Sequence, residues 1–109
     1  MNAQATMEQG RVTMDAGRQV LSLQGPVSFD TAALLADEGC RLLKQVAPET
    51  AVSIDARGVQ HSSSATLTVV LEWWRALNAR QLRLKDVLLP EQMRPLVALS
   101  GLNRILPER

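Results

Sequence analysis

Residues 51–77 read AVSIDARGVQHSSSATLTVVLEWWRAL. Ala51 to Ala56 alternate, with Val52 and Ile54 on one face, the pattern of a short buried strand. From about Ala65 to Ala79, Leu67, Val70, Leu71, Trp74 and Leu77 recur at helical spacing and predict an amphipathic helix. Glu72, Arg75 and Asn78 lie away from that stripe. Trp73 sits at its border, where core packing is the favoured reading and an exposed indole would mark a partner surface. Between strand and helix lies a polar turn, His61-Ser62-Ser63-Ser64-Ala65-Thr66. The rest of the chain reads as packing for this unit.

Upstream, residues 1–10 are polar and predict a loose tail, leaving 11–109 as one domain. Arg11 to Asp15 alternate weakly, Asp15-Ala16-Gly17 supply a turn, and Arg18 to Gln24 alternate again, which predicts a hairpin ended by Gly25-Pro26. Ser28 is suited to cap a helix beginning near Phe29. Ala32, Leu34, Leu35, Leu42, Leu43 and Val46 make its apolar stripe, and Pro48 closes it. Gly39 inside that helix costs about 1 kcal/mol relative to Ala and points to close packing against a neighbour.

Downstream, Leu82, Leu84 and Val87 predict a last strand ended by Pro90. A helix then begins at Pro90-Glu91 and carries Met93, Leu96, Val97 and Ser100, with Gly101 as its C-cap. Pro95 is expected to kink or shorten it. The apolar residues of 102–107 are expected to fold back on the core. The element order is β-β-α-β-α-β-α, an α/β chain. It implies a two-layer fold with a mixed four-stranded sheet and the helices packed on one face.

Composition removes several functions. Acids and bases are interspersed and net charge is +1, unlike a nucleic-acid binder with its basic residues on one face. Arg75, Arg80, Arg83 and Lys85 are separated by apolar residues and do not read as a phosphate patch. The one cysteine, Cys40, fits a reducing compartment and reads as a small buried hydrophobe. No apolar run approaches the roughly 20 residues of a membrane span, and residues 1–10 lack the features of a signal peptide. The expectation is a cytoplasmic protein that reaches a membrane only through a partner.

Catalytic means are few. His61 is the only histidine and there is no tyrosine. A lone histidine does not make a metal site, and no third member accompanies a His61–Ser63 or His61–Ser64 dyad. Neither a catalytic residue, a metal site nor a cofactor is assigned. What remains is a serine turn at a helix N-terminus, where free N–H groups and the helix dipole favour an anion or an acceptor. Ser63 or Ser64 either caps the helix or presents a hydroxyl that a kinase or docking partner reads.

The strand Val52-Ser53-Ile54-Asp55, the bridge Ala56-Arg57-Gly58-Val59, the serine turn and Leu67-Thr68-Val69-Val70-Leu71 resemble the STAS domain. In that family an I-D-L-S-x-V stretch leads into D-[ST]-[SAG]-G-L and an aliphatic helix. With the closing segment from Leu96 to Pro107, the chain is most similar to the MlaB-like STAS subunits of phospholipid ABC transporters, over about Arg11 to Pro107.

The motif Asp falls on Ser63, its first Ser/Thr on Ser64, the small residue on Ala65 and its Gly on Thr66. The serine phosphorylated in anti-sigma factor antagonists falls on Ala65, so this chain lacks both that hydroxyl and the motif Asp. The threonine that matches Ser64 lies, in the transporter subunit, at the contact with the ATPase. The resemblance thus implies a non-enzymatic adaptor that binds the cytoplasmic, MlaF-like ATPase subunit of an inner-membrane phospholipid transporter. That ATPase works in a complex with a permease and a lipid-binding subunit. Expected partner contacts are Ser62, Ser63, Ser64, Ala65, Thr66 and Thr68, with Phe29 and Asp30 extending the surface unless Phe29 joins the core. The alternative is an anti-sigma factor antagonist phosphorylated on Ser63 or Ser64.

Overall fold

A computed structural model describes residues 10–60 and 64–101. Its elements are β1 (Arg11–Asp15), β2 (Val20–Pro26), α1 (Phe29–Leu43), β3 (Ala51–Gln60), α2 (Ser64–Ala79), β4 (Arg83–Leu88), a 3-10 turn (Glu91–Met93) and α3 (Arg94–Ser100). The order is the expected β-β-α-β-α-β-α. The expected tail, residues 1–9, and the expected fold-back of 102–107 lie outside the described residues.

The four strands lie in the order β1-β2-β3-β4. β1 and β2 form an antiparallel hairpin, whose turn is held by the Asp15 carboxylate. Its Oδ1 accepts from the N–H groups of Gly17 at 3.1 Å and Arg18 at 3.2 Å. β2, β3 and β4 run parallel. Strand order advances in one direction, so right-handed crossovers carry α1 and α2 to the same face. Leu21, Leu23, Val52, Ile54, Ala56 and Val87 pack beneath them as the buried side of the sheet.

β3 runs four residues beyond the Ala51–Ala56 strand that alternation predicts. Ser22 faces Asp55 but Gln24 faces Gly58, so β3 spends one extra residue in a bulge. The inward positions jump from Ala56 to Val59, and the period of two is lost at that point. The main-chain N–H of Arg57 donates to Asp55 Oδ1 at 3.0 Å within the bulge. A second bulge spends Lys85 on β4, between the pairs Val52–Leu84 and Ser53–Asp86.

α1 starts at Ser28 as expected, with the Ser28 N–H donating to Thr31 Oγ1 at 3.2 Å. Leu34, assigned to its buried stripe, is instead 60% exposed. The buried arc of α1 is filled by Ala32, Leu35, Ala36, Gly39 and Leu43, and Leu34 falls outside that arc. Phe29, read as a core residue or as surface, is 70% exposed.

Gly39 makes the predicted close approach. It lies against Trp73, whose indole is fully buried and donates from Nε1 to the Ala36 carbonyl at 3.1 Å. Trp73, not Trp74, is therefore the tryptophan at the centre of the helix layer, and Trp74 is half-buried. The border position holds the core because α2 is covered on two sides, by the sheet and by α1. That widens its apolar arc beyond a single stripe.

The final α-helix is shortened, as Pro95 suggests: it begins at Arg94 and not at the expected Pro90-Glu91. A 3-10 turn precedes α3, and Pro95 takes a first-turn position where no N–H is needed. Gly101 closes α3 at φ 78°, the left-handed conformation that glycine adopts without strain. Met93 and Val97 pack on Leu67 as a small satellite of the main core.

Candidate docking surface

Pro26, the last residue of β2, is the register partner of Gln60, the last residue of β3. α1 begins three residues after the first and α2 four residues after the second, so both helices start at the same end of the sheet. They cross at Gly39 and Trp73, which lie about equally far along their helices. Phe29 and Ser64 consequently stand at one level on neighbouring helices.

Ser64 is exposed and opens α2. Thr68, one turn later on the same side, is exposed too, and its hydroxyl donates to the Ser64 carbonyl at 3.1 Å. Ala65 and Thr66, expected to join this surface, are fully buried. Their side chains fill the start of the helix from inside. Among the described residues the Thr66 hydroxyl has no hydrogen-bond partner, an arrangement that costs about 1–3 kcal/mol when a hydroxyl is buried. Ser62 and Ser63, with His61, lie outside the described residues. Among the described residues the expected contacts thus reduce to Ser64 and Thr68 on α2, beside Phe29 and Asp30 on α1, all four exposed.

The basic residues of the second half are dispersed as their spacing suggests. Arg75 pairs with Glu72 at 3.1 Å, and Arg80 donates to the Lys44 carbonyl at 3.0 Å, closing the end of α1. Cys40 is half-buried in the helix layer. Burial, with Asp37 and Glu72 nearby, pushes its thiol above the ordinary range, so it is not poised as a nucleophile at neutral pH. No group of His, Cys, Asp and Glu able to hold a metal occurs among the described residues. None of their helices is long and apolar enough to cross a membrane.

One polar feature carried no signal in the sequence. The face of the sheet away from the helices forms an open basin of about 520 Å³, with Arg18, Asp55, Arg57, Lys85 and Asp86 around it. These residues come from three separate segments, the β1–β2 turn, β3 and β4, and meet only because parallel pairing aligns them. Within it, Arg57 grips Asp55 with Nε to Oδ1 at 3.1 Å and Nη2 to Oδ2 at 3.0 Å. Burial raises the Asp55 carboxyl, but the hydrogen bonds and charge of Arg57 outweigh it and hold the pKa below the usual carboxylate value.

A lowered folded pKa stabilises the protein above the unfolded value, about 3.9, and that contribution fades as pH falls through the folded value. Arg57 is largely exposed, so solvent screens the pair and its effect is small. The urea midpoint of the wild type is expected to exceed that of Asp55→Asn at neutral pH. The difference should close as the solution is acidified below about pH 4.

The fold is a mixed four-stranded sheet in the order β1-β2-β3-β4, packed against its helices. A family model described as "Mlab, STAS domain" matches residues 10–107, and the chain belongs to that STAS family. STAS domains are in general small, non-enzymatic, adaptor- or antagonist-like modules. No curated protein matches the chain.

Proposed function

We propose that this protein is a non-enzymatic adaptor subunit. It docks through the start of α2, with Phe29 beside it, onto the cytoplasmic MlaF-like ATPase of an inner-membrane phospholipid ABC transporter. Membership of the MlaB-type STAS family supports the partner class. The observation that carries the site is the exposure of Ser64, Thr68 and Phe29 on adjoining helix starts. On this reading the adaptor supplies a shaped surface, ATP hydrolysis remains with the partner, and the protein is held at the membrane through that ATPase. The permease and the lipid-binding subunit complete the assembly.

The exposed Ser64 hydroxyl also suits the alternative, an anti-sigma factor antagonist phosphorylated by its partner kinase. Against it stands Ala65, which occupies the usual acceptor position and is fully buried.

Ser64→Glu separates docking from folding. A carboxylate in the first turn of a helix interacts favourably with the dipole, so the thermal melt should hold. A desolvated charge at the contact should lower affinity for the ATPase by at least about tenfold, or 1.4 kcal/mol. Full retention of the ATPase by the variant in a pull-down would reject this docking site. Incubation with an anti-sigma kinase and ATP, followed by mass spectrometry, tests the alternative through modification of Ser63 or Ser64.

A further inference from the structure

β1 is an edge strand, with β2 on one side and no described strand on the other. The two edges of the sheet are unequal. β4 is blunted by the bulge at Lys85, one of the ways natural sheets protect an edge. β1 instead pairs with β2 through five consecutive residues without a shift, and presents a regular row of main-chain donors and acceptors outward.

The sequence of that strand, Arg11-Val12-Thr13-Met14-Asp15, is complementary to its own reverse. Antiparallel pairing with β1 of a second copy, about a two-fold axis through Thr13, sets Arg11 opposite Asp15. The same register sets Val12 opposite Met14 and Thr13 opposite its counterpart. Opposed residues in an antiparallel pair share a face. Val12 and Met14 pack on the helix side in each copy, while Arg11, Thr13 and Asp15 are exposed. Sliding the register far enough to centre it on Arg11 or Asp15 would set like charges together, which is unfavourable. Arg11 has no ion pair within the described chain.

A groove lies beside the strand. Two adjoining hollows of about 310 and 210 Å³ run between β1 and α1 and share Leu42 and Gln45. Val12, Met14 and Val46 supply apolar walls, and Glu38 and Arg41 contribute one charge of each sign. Neither charge is in an ion pair within the described chain. An interface with a two-fold axis must be complementary to itself, and the strand meets that condition.

We infer that β1 is a homodimer interface, through which two copies join edge to edge and extend one sheet across both. The occupant of the edge is a second copy of this chain. This surface lies along β1, apart from the docking surface at the helix starts, so the two readings stand or fall separately.

Sedimentation of the full chain over a wide concentration range tests the inference. The mass should rise from 11.9 kDa toward twice that value. Arg11→Glu places like charges opposite each other twice per dimer and should weaken self-association by about tenfold or more. Asp15→Lys should weaken it similarly. Mixing the two variants in equal amounts should restore a dimer, because every opposed pair then carries opposite charges. That recovery requires both variants to be folded. High salt should weaken the wild-type dimer. A wild-type mass of 11.9 kDa at every concentration, or self-association unchanged by Arg11→Glu, overturns the inference.

Discussion

Gly39→Ala should destabilise the protein by about 1–5 kcal/mol net, although the same change on an exposed helix face would stabilise it by about 1 kcal/mol. A Cβ at Gly39 would sit 2.6 Å from Trp73 Cζ2, and closer still to Nε1 and Cε2. The obstacle is a rigid bicycle, buried on every side and tied to the Ala36 carbonyl. Two costs follow. Overpacking a close-packed core costs about 1–3 kcal/mol, and stripping a buried N–H of its acceptor costs about 1–3 more. Against a typical total of about 5–15 kcal/mol, the loss is large. Urea unfolding would measure it. In a Trp74→Phe background, the fluorescence of Trp73 should shift to the red as its packing opens. An unchanged midpoint and spectrum would show that the helix pair can separate without penalty.

Phe29→Ala should do the reverse, leaving stability within about 0.5 kcal/mol, as for an ordinary surface change. On the proposed docking, it should lower affinity for the ATPase partner by about thirtyfold, the loss of a 2 kcal/mol aromatic anchor. A single exposed apolar residue is ordinary on a protein surface. Phe29 gains weight from its place at the head of α1, level with Ser64 on the next helix and next to the exposed Asp30. Leu34 provides the comparison: it is 60% exposed on the same helix but lies one turn further from the helix start. Leu34→Ala should reduce affinity less than Phe29→Ala. Equal effects from both would move the contact down the outer face of α1, and no effect from either would remove α1 from the surface.

The candidate surface shows how far a one-dimensional motif reaches. Ser64 and Thr68 face outward as the serine turn suggests, whereas Ala65 and Thr66 are buried. Successive helical residues are about 100° apart, so a contiguous motif cannot lie on one face. Phe29 is distant in sequence and carries no helical signal that distinguishes core from surface. Its exposure depends on where the neighbouring helix and the sheet lie against α1.

Local periodicity and the cap, glycine and proline positions by themselves determined the element order, the hairpin turn at Asp15, the cap at Ser28, the shortening of the last helix ahead of Pro95 and the close at Gly101. Each depends on the conformational preferences of a few adjacent residues. They also marked Gly39 as a close approach. Only the tertiary structure decided that Trp73 fills that approach, that Leu34 and Phe29 are exposed, and that β3 continues past its bulge to Gln60. Those outcomes depend on which surfaces the sheet and the second helix cover. A bulge shifts the phase of a strand, and a helix covered on two sides buries residues that a single apolar stripe places at its margin.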